Sequence, residues 1–214
     1  MPGYAQRAPT KTEKPMSSQP YVLILYYSRY GAVKALAEAI AEGVESISGM
    51  SARLRTVPPL TTTVEATAPA IPANGDLYAE LDDLRHCAGL AMGSPTRFGN
   101  MAAPLKYFLD QTSELWLSGA LADKPATVFS SSSTLHGGQE TTLLTMMMPL
   151  FHHGMLIMGA PTAEEELHTT SAGGTPYGVT HVTFGDNNKP LSKEERSLAV
   201  KVGKRLAQIA LRLI

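Results

Sequence analysis

Three short runs in this chain combine hydroxyls with glycine in a way that suits a phosphorylated, flat ligand. Ser28-Arg29-Tyr30-Gly31-Ala32-Val33 offers a hydroxyl, a permissive glycine and free backbone N–H groups at the start of a helix, the arrangement by which a chain cradles phosphate. Ser94-Pro95-Thr96-Arg97-Phe98-Gly99-Asn100 supplies hydrogen bonds from Thr96 and Asn100, a cation at Arg97 and an apolar wall at Phe98, a mixture that suits a heteroaromatic ring. Ser130 to Gly138, SSSSTLHGG, exposes hydroxyls and backbone groups to a ligand with several carbonyls or chain hydroxyls. Taken singly, each run also reads as an ordinary polar turn. Beyond them stand a single tryptophan, Trp116, which is a core residue or a site wall, and the pair His152-His153, which caps a helix or faces a ligand.

Other chemistries lack their residues. There is no GxGxxG, no Walker lysine and no G-x-S-x-G elbow. No acidic residue or cysteine accompanies the His pair at ligand spacing, and His136 and His168 fall in separate loops, so no metal site is predicted. The one cysteine, Cys87, reads as a small core residue; it excludes an internal disulfide and fits a reducing compartment, hence the cytoplasm. With 18 Lys+Arg against 19 Asp+Glu the net charge is −1 and no basic block stands out, which argues against nucleic acid and anionic membranes as partners. The most apolar stretch, Leu143 to Gly159, is interrupted by Pro149, His152 and His153 and is too short for membrane insertion.

The elements that must position these runs alternate along the chain. Tyr21–Tyr27 is an apolar, β-branched and aromatic run that predicts a strand buried on both faces. Val33, Leu36, Ile40, Val44 and Ile47 recur on one helical face, with Gly49 at the stop, and Ala52–Val57 alternates as a half-exposed strand. Further strands are predicted at 89–93, 126–130 and 155–158, with helices at 103–111 and 141–151. A Gly-rich loop then runs to about residue 190, where Ser192 and Glu195 form a capping box for a last helix. Such alternation implies a parallel sheet covered by helices, with ligands bound at the carboxyl ends of the strands, where the three runs fall. Residues 1–19 read as a polar tail, Met1 and Met16 both remaining possible starts, and 20–214 as one domain. Residues 58–79, rich in Pro, Thr and Ala, read as an irregular insertion. Met146–Met148 suggests core or subunit contact, and Glu164–Glu166 a solvated face.

Several of these segments together resemble a known family. YYSRYGAVKALAEAIAEGVE, SPTRFGN with the following KYFLDQTSELWLSGALADKPA, HGGQETT, HHGM at 152–155 and GGTPYG at 173–178 are similar, in order, to the WrbA-type NAD(P)H:quinone oxidoreductases. The resemblance spans roughly residues 20 to 212. It implies a flavodoxin-like three-layer α/β sandwich whose five-stranded parallel sheet has the order 2-1-3-4-5, with helices on both faces. It further implies a noncovalent FMN, NADH or NADPH as electron donor, a quinone substrate and a homotetramer whose flavin sites lie near subunit contacts.

By that resemblance Ser28, Arg29, Tyr30, Gly31, Ala32 and Val33 form the phosphate loop, Tyr30 also meeting the nicotinamide nucleotide. Pro95, Thr96, Arg97, Phe98, Gly99 and Asn100 run along the isoalloxazine. Ser131, Ser132, Ser133, Thr134, Leu135 and Gly137 match the ribityl and ring-edge loop. Trp116 matches the aromatic that closes the substrate side, and His152 the histidine facing the flavin; both are candidates for the reaction itself. Arg29 and Ala32 depart from the family pattern, and SSSSTLHGG is one residue longer than the shorter STGTGGG form. A flavodoxin-type electron carrier that docks on protein partners is the main rival, and a flavin-free scaffold a second. The near-neutral charge and the segments 58–79 and 160–190 weigh against a carrier.

Overall fold

A computed structural model describes residues 19–60 and 75–214. Most of the predicted tail and most of the 58–79 insertion lie outside the described residues. Strand β1 (Tyr21–Tyr26) leads to helix α1 (Ala32–Glu45) and strand β2 (Ser51–Thr56), after which come α2 (Leu81–Arg85) and β3 (Gly89–Pro95). Helices α3 (Ala103–Asp110) and α4 (Ser113–Leu117) precede β4 (Pro125–Ser132). The chain continues through α5 (Gln139–His152), β5 (Leu156–Ile157), α6 (Glu166–Thr169), β6 (Val179–Val182) and α7 (Lys193–Leu213).

All strand pairings are parallel, and the order is β2-β1-β3-β4-β5, as the flavodoxin-like resemblance implies. β1 is buried along its whole length because its alternate residues serve opposite layers. Val22, Ile24 and Tyr26 pack with α1 and α7, while Tyr21, Leu23 and Leu25 pack with α3 and α5. Two glycines let α1 and α7 cross closely: a Cβ on Gly43 would lie 1.9 Å from the Val200 carbonyl, and one on Gly203 2.1 Å from that of Ile40. That crossing fixes where the N-terminus of α1 sits.

The fifth strand differs from expectation. Only Leu156 and Ile157 pair there, beside the start of β4, and the same edge is taken up again by β6, which pairs with residues 129–132. The intervening segment loops out through α6 and returns, so one strand position is filled by two pieces of chain. β6 lies within the stretch expected to be loop. Glu164 and Glu166 are also more than a solvated face: both bridge Lys201 on α7, at 2.9 and 2.7 Å, and the Lys201 and Ser197 hydrogen bonds hold the Glu166 carboxyl down at about 2. Met146 and Met147 are core, whereas Met148 is exposed. Cys87 is buried beside Leu84, and burial pushes its thiol up to about 11.

Candidate functional site

The three runs meet at the carboxyl edge of the sheet. They line a cleft of ≈ 480 Å³, its open mouth included, formed by Ser28, Arg29, Tyr30, Ala32, Val33, Pro95, Thr96, Arg97, Ser131, Ser132 and Ser133 together with Thr183 and Asn187. The first wall is the entry to α1. Gly31, left-handed at φ 96, is its N-cap and provides no side-chain cap, and the first turn carries no acidic residue. The leading N–H groups of the helix therefore have no partner of their own and carry its positive dipole end. A Cβ on Gly31 would meet nothing within 4 Å, so glycine is there for its backbone angle. Ser28 Oγ accepts from the Gly31 N–H at 3.1 Å and closes the turn. The Arg29 guanidinium lies over the Tyr30 ring, 5.1 Å from its centroid.

The second wall is a tight turn. Arg97 and Asn100 exchange both backbone hydrogen bonds, at 2.8 and 3.0 Å, around Phe98 and Gly99, which are both left-handed, as a type I′ turn requires. This thrusts the Phe98 ring wholly into solvent, at 108% exposure. A bulky residue held at positive φ costs about 1 kcal/mol and is retained where the surroundings impose it. Here they do. Thr96 Oγ1 is hydrogen bonded to Thr142 Oγ1 of α5 at 2.8 Å, donating its hydrogen because that of Thr142 goes to the Gly138 carbonyl at 2.7 Å, and Gly99 lies so close to α5 that a Cβ would come within 2.9 Å of Thr141 Oγ1. Asn100 uses its side-chain oxygen on the Met101 N–H and faces a neighbouring open cleft, which Arg29 and Arg97 divide from the first.

The third wall is more strand than loop. Ser131 and Ser132 lie on the buried end of β4, and only Ser133 onward is exposed. Thr134 turns inward to its own chain, its carbonyl accepting from Ser132 Oγ at 2.7 Å, the Gly137 N–H at 3.2 Å and Gln139 Nε2 at 3.3 Å. Leu135 and His136 line a separate groove beside α5. Thr134, Leu135 and Gly137 thus shape the turn rather than line the cleft. Thr183 and Asn187 form a fourth wall that the sequence reading missed. The signal was available: VTHV is β-branched and alternating, but glycines on both sides led it to be read as loop.

Trp116 and His152 are elsewhere. α5 begins at the cleft and runs antiparallel to β4, so its C-terminal His152 ends up roughly 21 Å away by helix rise. Trp116 lies at that same far end, on α4, and is 53% exposed. Thr112, at the start of α4, is bonded to His153 Nε2 at 2.8 Å. Its hydroxyl hydrogen goes to the Leu109 carbonyl, so the imidazole donates from Nε2, and Nδ1 is left buried with no partner among the described residues. Burial and the neighbouring His152 lower the pKa of His153. Among the described residues, no group of three or more His, Cys, Asp or Glu is arranged to hold a metal ion.

Comparison with known proteins decides the family. The model of the NADPH-dependent FMN reductase family matches residues 22–166. An NAD(P)H dehydrogenase (quinone) from Trichlorobacter lovleyi is 41% identical over 199 residues, covering 90% of this chain and 98% of the relative. The chain belongs to the WrbA-type NAD(P)H dehydrogenase (quinone) family. A second member, from Solidesulfovibrio magneticus, is 39% identical over the same length. Among solved structures, the WrbA-like flavodoxin protein of Agrobacterium tumefaciens superposes with a TM-score of 0.64 at 23% identity, covering 91% of this chain and 99% of that one. An archaeal flavodoxin superposes with a TM-score of 0.59 at 19% identity, so the sandwich itself is shared more widely than the quinone dehydrogenases.

Proposed function

We propose that the chain reduces quinones to hydroquinones with NADH or NADPH, through an FMN held in the cleft at the carboxyl edge of the sheet. The observation that carries this reading is the uncapped, acid-free N-terminus of α1 facing a cleft whose other walls are serine hydroxyls and the Phe98 turn. The donor set fits FMN. The α1 entry suits a dianionic phosphate, and Thr183 Oγ1, buried in the cleft wall, has no hydrogen-bond partner among the described residues. When bound, FMN supplies the redox chemistry, taking hydride from the nicotinamide and passing two electrons to the quinone.

The chain positions and shields. The N–H groups of Ala32 and Val33 hold the phosphate, with Ser28 keeping Gly31 in its turn. Ser131, Ser132 and Ser133 meet the ribityl chain, and Thr96, Arg97 and Phe98 run along the ring. Tyr30, half exposed at the mouth, meets the nicotinamide nucleotide, and Arg29 and Arg97 draw its anionic phosphates. Among the described residues of one chain, neither Trp116 nor His152 lines the cleft. A second copy supplies both: Trp116 becomes the flat wall on which nicotinamide and quinone stack in turn, and His152 donates a hydrogen bond to a quinone oxygen as charge develops there.

A homotetramer is the assembly this requires. Its support is the α3–α4–α5 face, where Tyr107, Trp116, Leu117, Leu144, Met148 and Phe151 are all at least 44% exposed. The described helices include none long and apolar enough to cross a membrane, and the buried Cys87 suits the cytoplasm. The test is an anaerobic titration of the FMN-loaded protein. Flavin absorption that bleaches with NADH or NADPH and returns on adding benzoquinone is expected. Bound flavin that ignores both nucleotides identifies an electron carrier instead, and no flavin binding at all identifies a scaffold.

A further inference from the structure

We propose that His181 positions the fourth wall of the cleft, clasping the 183–189 loop so that Thr183 and Asn187 face the Ser131–Ser133 strand end. This rests on reading the cleft as the flavin site. His181 lies on β6, opposite Ser131 of β4, and is wholly buried. Its Nε2 is 3.2 Å from the Lys189 carbonyl oxygen, which can only accept, so Nε2 carries a hydrogen. Its Nδ1 is 2.7 Å from Oε2 of Glu195, itself 1% exposed.

Glu195 is more than a capping residue. Its two oxygens also accept from the backbone N–H groups of Gly173 at 2.8 Å, Val182 at 3.1 Å and Ser192 at 2.8 Å. Burial raises the pKa of this carboxyl, but the His181 bond and the backbone donors outweigh it and hold it lowered. The imidazole thus joins Glu195 of α7 on one side to the loop exit at Lys189 on the other.

The loop needs this clasp because little else fixes it. The Thr183 N–H bonds Ser132 O at 2.9 Å at its entry, and within the loop the hydrogen bonds seen among the described residues are local, from the Asp186 N–H to Thr183 O, the Lys189 N–H to Asp186 O and the Asn188 N–H to Asp186 Oδ1 at 2.9 Å. It also carries two left-handed residues, Phe184 and Gly185. At its exit, the His181–Lys189 bond returns the chain to β6. The charged group bonded to the imidazole is Glu195 on α7, and the loop itself carries Asp186 and Lys189, whose ammonium lies over the Phe184 ring at 3.7 Å. β4 presents no charge, with Ser131 opposite.

The test compares the full chain with His181→Ala and His181→Gln, the latter keeping an amide donor. His181→Ala is expected to speed amide exchange at Asp186, Asn188 and Lys189 and to raise the FMN dissociation constant about tenfold, with α1 and α7 still protected. His181→Gln is expected to recover part of both effects. An unchanged FMN constant in both variants, or exchange that rises equally in α7, would overturn the proposal. If His181→Ala does not fold, His181→Gln still decides, by whether exchange at Asp186, Asn188 and Lys189 departs from the wild type. A wild type that binds no FMN sinks the flavin reading alone, since the exchange contrast still reports on the clasp.

Discussion

The two ends of the sheet are built from different material. At the carboxyl edge the contacts a ligand would meet are largely backbone and hydroxyl, set by left-handed residues at Gly31, Phe98 and Gly99 and locked by α5 against the Phe98 turn. At the opposite end, Trp116 and His152 present side chains on helix ends, exposed and facing away from the cleft of their own chain. One end gathers the three runs within a single chain, while the other serves a second copy in the function proposed above. A backbone site should tolerate side-chain departures such as Arg29 and Ala32 but not a changed charge at the helix entry.

That contrast can be broken most sharply at Ala32. As the first residue of α1, it is a position where aspartate favours the helix dipole, so Ala32→Asp should leave the apoprotein folded and at least as stable. The carboxylate would occupy the ground of the phosphate, and FMN binding is expected to weaken about 100-fold by charge repulsion. Fluorescence titration with FMN and a thermal melt check both halves. Unchanged FMN affinity would remove the phosphate from the α1 entry.

What was legible in the sequence follows the same division. The Tyr21–Tyr27 run, the helical face beginning at Val33 and the Ser192–Glu195 capping box announce themselves because periodicity and capping are local, and all three stand in the structure. Eleven of the thirteen cleft residues came from loops read correctly as lying at the strand ends. Thr183 and Asn187 were missed because β6 has only four residues and pairs with a strand some 50 positions earlier. Nothing local signals such a partner. Nor did the sequence show that α5 carries His152 to the far end: that follows from helix direction relative to β4. The Gly43–Gly203 crossing was also unread, since neither glycine breaks its helix and the reason for each lies on the other helix.

If the far end of one copy completes the cleft of another, two crippled proteins should help each other. Ala32→Asp spoils the cleft and leaves the far end intact; Trp116→Ala with His152→Ala does the reverse, and should keep FMN binding within about twofold while quinone kcat/KM falls about tenfold. After subunit exchange, the mixture is expected to show more quinone reductase activity than the sum of its parts. Strict additivity would confine each site to one chain and return Trp116 and His152 to a structural role.

A smaller effect is expected at the Phe98 turn. Phe98→Gly removes the left-handed strain and should stabilise the apoprotein by up to about 1 kcal/mol, read from a denaturant midpoint. The same change removes the ring from the cleft side, so kcat/KM for NADH or NADPH should drop severalfold while FMN remains bound. If stability falls instead, the exposed ring is packing on something in the free protein.

The mildest test concerns the far end alone and depends on pH. His153 donates from Nε2 to Thr112, and its pKa is lowered from 6.5 first by burial and then by His152. A base whose folded pKa is depressed contributes stability that is fully present above its unfolded value and is lost as pH falls toward the folded one. The wild type should therefore lose stability as pH drops below about 6.5, whereas His153→Gln, which can keep a donor to Thr112, should have a flatter profile across that window. The loss should start at the α4 start and α5 end, with amide exchange rising there while the α1 entry stays protected. Equal loosening at both ends would mean that the two poles are one cooperative unit, and that the division between them holds for binding but not for stability.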